Sequence, residues 1–252
     1  GIRRSLFAFK NQLKENIDLA MPSPHASFVN GILLGDTADM PKELDEAFVA
    51  SGVSHLTALS GYNITIIAVF VAFALSFFFT SSGVITVLSI IGIALFVLMT
   101  GASPSVVRAA IMGVALLLAR HAGRQSAPLI VIVFAAFVMI VANPRVLVFD
   151  IGFQLSFLAV LGLAYVAPYL QKKMMRVPEF LKWKEAFVAT ISAQIAVLPL
   201  LAYQFGQVSL VSPMVNVLVL PLMPFAMLFG FLTGAAGFIA PLTAKVFAYP
   251  LW

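Results

Sequence analysis

The chain has no cysteine, three histidines and only ten acidic side chains in 252 residues. The missing thiols exclude disulfides, thiolate catalysis and thiolate-bound metals, and leave the redox compartment open. His25, His55 and His121 share no ligand spacing such as His-x-x-x-His, so no metal site, metallohydrolase centre or cofactor is expected. Charge of either sign is scarce, at 10% of residues where soluble domains carry about 25%. No internal repeat and no low-complexity segment is present. Residues 2–21 are charged and amphipathic, unlike the short apolar core of a cleavable secretory signal.

What remains is apolar: 62% of the chain. Residues 47–107 and 186–244 run for 61 and 59 positions without one Lys, Arg, Asp or Glu. A membrane crossing needs about 20 such residues, so each run holds two or more crossings. Pro199, Gly206, Pro213, Pro221 and Pro224 cut the last third, and broken backbone at membrane depth survives only where protein or a wet cavity satisfies it. The reading is an all-α polytopic membrane protein, a helical bundle with discontinuous or re-entrant helices. One membrane-embedded domain over 1–252 is expected, with an amphipathic, interfacial N-terminal segment at 1–46 and a transmembrane bundle at 47–252.

Leu6, Phe9, Leu13 and Ile17 recur every three to four residues while Arg3, Arg4, Lys10 and Lys14 take other positions, the pattern of a helix lying in the membrane interface. Pro22 and Pro24 end it. Pro41, followed by Glu43, Asp45 and Glu46, reads as a helix start with acids at its positive dipole end, and that helix is expected to reach about Leu59. Candidate spans follow at 64–79, 83–99, 104–119, 128–142, 151–170, 185–203, 208–220 and 222–239. If every span crosses fully, Arg120 and Arg124 share one side with Lys172, Lys173, Arg176, Lys182 and Lys184. The excess of cations makes that side cytoplasmic, and the net charge of +5 is mostly this loop bias.

Three stretches carry polar chemistry. At residues 100–108, Ser103 suits a helix N-cap and Pro104 the first helical position, so the exposed backbone donors and Ser105 form an anion-friendly helix end. Arg108, one turn further on, must snorkel, pair, or face a wet lumen. Asp150 suits the cap of the next apolar stretch. Within or beyond it, Gln154, Ser156, Gln194 and Asn216 place polar groups where lipid penalises them unless they pair or meet water, so they either tie helices together or line a path. Residues 53–63 hold His55, Ser60, Tyr62 and Asn63. A hydrolase reading of His55 with Ser60 is discounted, because positions five apart on one helix point about 140° apart.

The strings Ser54-His55-Leu56-Thr57-Ala58-Leu59-Ser60-Gly61, Thr100-Gly101-x-Ser103-Pro104-Ser105-x-x-Arg108-Ala109, and Asn143-Pro144 followed by Phe149-Asp150-x-Gly152-Phe153-Gln154-Leu155-Ser156-Phe157 resemble the competence domain of the ComEC-type DNA uptake channel. Order and spacing agree as well, from Phe28 to the final third. The resemblance implies a channel in the bacterial cytoplasmic membrane through which single-stranded DNA enters the cell, with no catalysis of its own. Its partners would be DNA, the lipid bilayer and other DNA-uptake proteins. Full-length members commonly add an OB-like domain and a nuclease domain; neither has a signature here, so the chain reads as the membrane domain. Where the family usually continues Ser-Gly-Leu-His, this chain has Ser60-Gly61-Tyr62-Asn63, and any role at that position falls to an amide that does not titrate. Tyr62 and Phe153 are aromatic faces on which bases could stack. A small-solute or ion transporter with broken helices is the competing reading, and a noncatalytic membrane scaffold a third.

Overall fold

The computed structural model describes residues 1–57, 59–123, 128–174, 183–206, 209 and 211–251. Arg124, Arg176 and Lys182, assigned to a cytoplasmic side above, lie outside the described residues. In chain order the helices are α1 (Ile2–Ala20), α2 (His25–Leu34), α3 (Lys42–Ser51), α4 (Ser54–Thr57), α5 (Gly61–Ser76), α6 (Ser82–Met99), α7 (Pro104–His121) and α8 (Pro128–Ala142). After them come α9 (Val146–Phe149), α10 (Ile151–Leu161), a π-helical turn (Gly162–Val166), α11 (Ala167–Lys173), α12 (Trp183–Phe205), α13 (Ser212–Val219), α14 (Met223–Ala236) and α15 (Pro241–Ala248).

Among the described residues, four helical stretches are long and apolar enough to cross a membrane: Ser54–Ser76, Ser82–Met99, Ile151–Lys173 and Lys184–Gln204. The helices Ser212–Val219 and Met223–Ala236 pass the same test only together, as a pair bent by 51° that is either a broken span or a re-entrant loop. The protein is therefore an all-helical, multi-pass membrane protein with a discontinuous helix, as the apolar runs require. One helix is corrected. The segment begun at Pro41 does not continue to Leu59 but stops at Ser51, because Gly52 turns left-handed at φ 71° and the Gly52 and Val53 N–H groups close on the Val49 and Phe48 carbonyls. A four-residue helix, α4, follows before α5 starts.

The residues group into two compact units, Gly1–Val114 with Leu222–Trp252, and Ala115–Pro221. In the first, the apolar stripe of α1 that the sequence lays along a membrane interface is partly covered by protein. Leu13 and Ile17 are 2% and 0% exposed, and they lie over Gly234 of α14, where a Cβ would come within 2.9 Å of Leu13 and 3.3 Å of Ile17. Gly230 receives Val29 and Leu33 of α2 in the same way. Small residues let α14 approach two helices at backbone range, as they do between membrane helices generally. Asn16 adds a hydrogen bond, its Nδ2 donating to the Gly234 carbonyl at 2.9 Å.

In the second unit, α10, the π-helical turn and α11 pack along α12. Gly162, which opens the π turn, sits so close to the Ser192 carbonyl and the Ala196 side chain that a Cβ there would clash with both. Pro199 lies inside α12 without ending it.

Candidate functional site

The first unit brings two of the three sequence motifs together. Ser60 is the residue before α5 and has extended backbone, so Gly61 opens the helix. A Cβ on Gly61 would stand 3.8 Å from the Ala109 side chain, which sets the start of α5 against the first turns of α7. Asn63 is fully buried: its Nδ2 donates to the Ile32 carbonyl of α2 at 3.1 Å, and its Oδ1 accepts from the Ser60 hydroxyl at 3.2 Å. The amide thus ties the polar break to α2, a contact no spacing argument could supply. His55 and Tyr62 are exposed.

At the start of α7, Gly101 and Ala102 both have left-handed backbone, at φ 85° and 55°, which turns the chain out of α6. The Ser103 carbonyl accepts from the Val107 N–H at 3.0 Å, so the helix is under way from Ser103-Pro104. The hydroxyls of Ser103 and Ser105 lie 3.2 Å apart. Ser103 is exposed and Ser105 half-buried. Arg108 is 6% exposed, with Val106, Ala109 and Ala110 also buried around it. A guanidinium held inside a membrane bundle is costly and marks a place where charge is used.

The third motif belongs to the second unit. Asp150 caps α10, its Oδ1 accepting from the Phe153 N–H at 2.9 Å. The Gln154 amide donates from Nε2 to the Leu147 and Val148 carbonyls at 2.9 and 3.0 Å, satisfying the end of α9 across the break. Phe153 is buried and packs on Phe157 with ring centroids 4.3 Å apart; Ser156 is half-buried. Gln194 on α12 donates to the Ser209 carbonyl at 3.2 Å, and Asn216 on α13 donates to the Ser212 hydroxyl at 3.2 Å. Ser192 and Ser212, which sequence reading did not single out, are buried like Asn216, whereas Gln194 is half-buried. A signal was present for Ser212, which stands four residues before Asn216 with Pro213, Met214 and Val215 between them.

Two helix breaks that meet beside a buried guanidinium, and a third motif that closes its own break by side-chain capping, are the local structures these ordered strings encode. The family model for Competence protein matches residues 32–252. The chain belongs to that family. Among curated relatives, this competence-family membrane domain is similar to ComE operon protein 3 of Bacillus subtilis (strain 168), 27% identical over 234 residues. The match covers 93% of this chain and 28% of that protein, so the chain spans little more than a quarter of the relative's length. No solved structure matches. With its membrane-crossing helices, the chain is a multi-pass protein of the bacterial cytoplasmic membrane.

Proposed function

We propose that this domain is the membrane conduit through which single-stranded DNA enters the cytoplasm during transformation, acting without catalysis and together with soluble OB-like and nuclease domains and other DNA-uptake proteins. The observation that carries the reading is the buried Arg108 at the meeting of two family motifs. A single cation in a low-dielectric setting attracts a passing phosphate far more strongly than one in water, without a groove of many lysines that would hold the strand in place. The absence of catalysis is supported by the Ser60 hydroxyl, which is engaged with the Asn63 amide, a group unable to serve as a base.

The test uses a naturally transformable host carrying this domain in its full-length protein. Arg108→Ala should lower entry of labelled DNA into the cytoplasm by about ten-fold or more, while DNA capture at the surface continues. Arg108→Lys should restore part of the entry if charge alone matters and little if the planar fork is needed. Normal entry with Arg108→Ala would sink the role of this residue, and normal entry with the whole domain deleted would sink the conduit. The break between α13 and α14 favours a second reading, a small-solute transporter, because such breaks build solute sites at membrane depth. Solute flux through the purified protein, independent of DNA, would select it.

A further inference from the structure

α13 is built inside out. Its buried residues are Ser212 and Asn216, one turn apart on a single face, whereas Val211, Met214 and Leu218 are 57%, 70% and 71% exposed. α12 is the neighbour against which this helix packs. The Asn216 amide uses its Nδ2 on Ser212, and its Oδ1 is buried without a hydrogen-bond donor. On α12, Gln194 repeats the arrangement: Nε2 reaches the Ser209 carbonyl just before α13, and Oε1 is buried without a donor. Two amide oxygens on the facing helices are therefore left as acceptors, and the Ser192 hydroxyl on α12 is buried without a hydrogen-bond partner as well. Bare acceptors in a low-dielectric interior cost as much as the hydrogen bonds they forgo, and water is the donor that fits a site of scattered neutral oxygens with no charge to match.

We infer that the interface between α12 and α13 is a hydrated seam that admits water and small hydrophilic molecules into the second unit. The outward residues of α13 meet lipid, and its inward residues meet water. The seam stands on this unit's geometry alone: it would exist in a solute transporter as well, and a DNA conduit could run elsewhere.

The cysteine-free chain gives a clean test. Asn216→Cys, Gln194→Cys, Met214→Cys and Leu218→Cys are made singly in the protein embedded in lipid vesicles and exposed to a cationic, water-soluble methanethiosulfonate. The thiolate attacks the reagent's sulfur and expels methanesulfinate; it forms in water and not in hydrocarbon, and one unit of thiol pKa is about a ten-fold change in rate. Cysteines at 216 and 194 should be modified at least about ten-fold faster than those at 214 and 218. Equal rates at all four, or slow modification at 216 and 194 with fast modification after denaturation, would overturn the seam. Asn216→Leu provides an independent measurement. In a dry interface it removes an unsatisfied acceptor and raises the Tm; in a hydrated one it strips a polar wall and lowers it. A raised Tm overturns the proposal whether or not the cysteine variants fold.

Discussion

The two units differ in what fills them. Among the described residues, of the twelve largest side chains that are essentially inaccessible, eleven belong to the first unit, among them Ile17, Met21, Ile32, Leu34, Ile64, Ile93, Met223 and Met227, and Val188 belongs to the second. The first unit ties several inward polar groups from within: Asn16 bonds Gly234, Asn63 bonds Ile32, and Asn30 bonds Asp18 through its Nδ2 while its Oδ1 stays open. The second unit buries Ser192, Ser212 and Asn216 in their place and leaves acceptors open. The chain therefore holds a region with a tightly packed core of its own and a region where, among the described residues, few large side chains are inaccessible.

That contrast can be broken most directly in the cores. Ile17→Ala, at a fully buried position over Gly234, should cost about 2–5 kcal/mol, read as a lowered Tm in nanodiscs. Leu218→Ala, 71% exposed, should change it by less than about 0.5 kcal/mol. Comparable losses at both would show that the first unit is no more tightly packed than the second.

A smaller effect is expected at a close backbone approach in the second unit. Gly162→Ala places a Cβ against the Ser192 carbonyl and Ala196, so α10 must move from α12 at a cost of about 1–3 kcal/mol. An unchanged Tm would mean that the π turn yields without resistance and the second unit is looser than its backbone contacts indicate.

The smallest effect is electrostatic and confined to the first unit. Lys14 donates to Asp36 at 2.9 Å and Asp39 at 2.6 Å. Hydrogen bonds to Asp39 and then Asp36 raise the Lys14 ammonium well above its ordinary value, and the Lys14 bond holds the Asp36 carboxyl below its own. A lowered folded pKa at Asp36 contributes stability above the ordinary carboxylate range, lost as the pH falls through the folded value. Lys14 has the opposite sign: its contribution is present below the ordinary lysine value and fades only in strong alkali. Burial raises the Asp18 carboxyl, which favours the fold on the acid side and opposes Asp36 there. Because these groups are partly solvated, Asp36→Asn should remove no more than about 1 kcal/mol at neutral pH and flatten the acid limb of Tm against pH. An acid limb unchanged by that substitution would place the titrating group elsewhere.

The sequence made the spans legible because a membrane crossing is a composition signal: α5, α6, α8 and α10 fall within runs free of charge, and α12 enters one after Glu185. It hid α2, which is ten residues long, has Pro22 and Pro24 just before it, and is shorter than a crossing, although eight of its residues are buried. Its role depends on Gly230 and on Asn63, one about two hundred residues away along the chain, and no local pattern announces such partners. The candidate site divides the same way. Asp150 as a cap and Ser103-Pro104 as a helix start follow from local backbone chemistry. The pairing of Gln154 with α9 carbonyls, and of Asn63 with Ile32, follows from where the breaks bring the chain, which only the fold records.

The hydrogen bond from Asn16 to Gly234 joins positions 218 residues apart, and this separation sets a timetable for synthesis. At about 5–20 residues per second a ribosome needs on the order of 10–40 s to deliver Gly234 after Asn16 has emerged. Throughout that interval α1 can meet α2 and α6 but not α14, so the part of its apolar stripe at Leu13 and Ile17 lacks its glycine partner while the residues of the second unit are made and inserted. A lipid surface is the available holding place, so the same amphipathic face serves first as a temporary mooring on the membrane and then, once α14 arrives, as the closing seam of the finished unit.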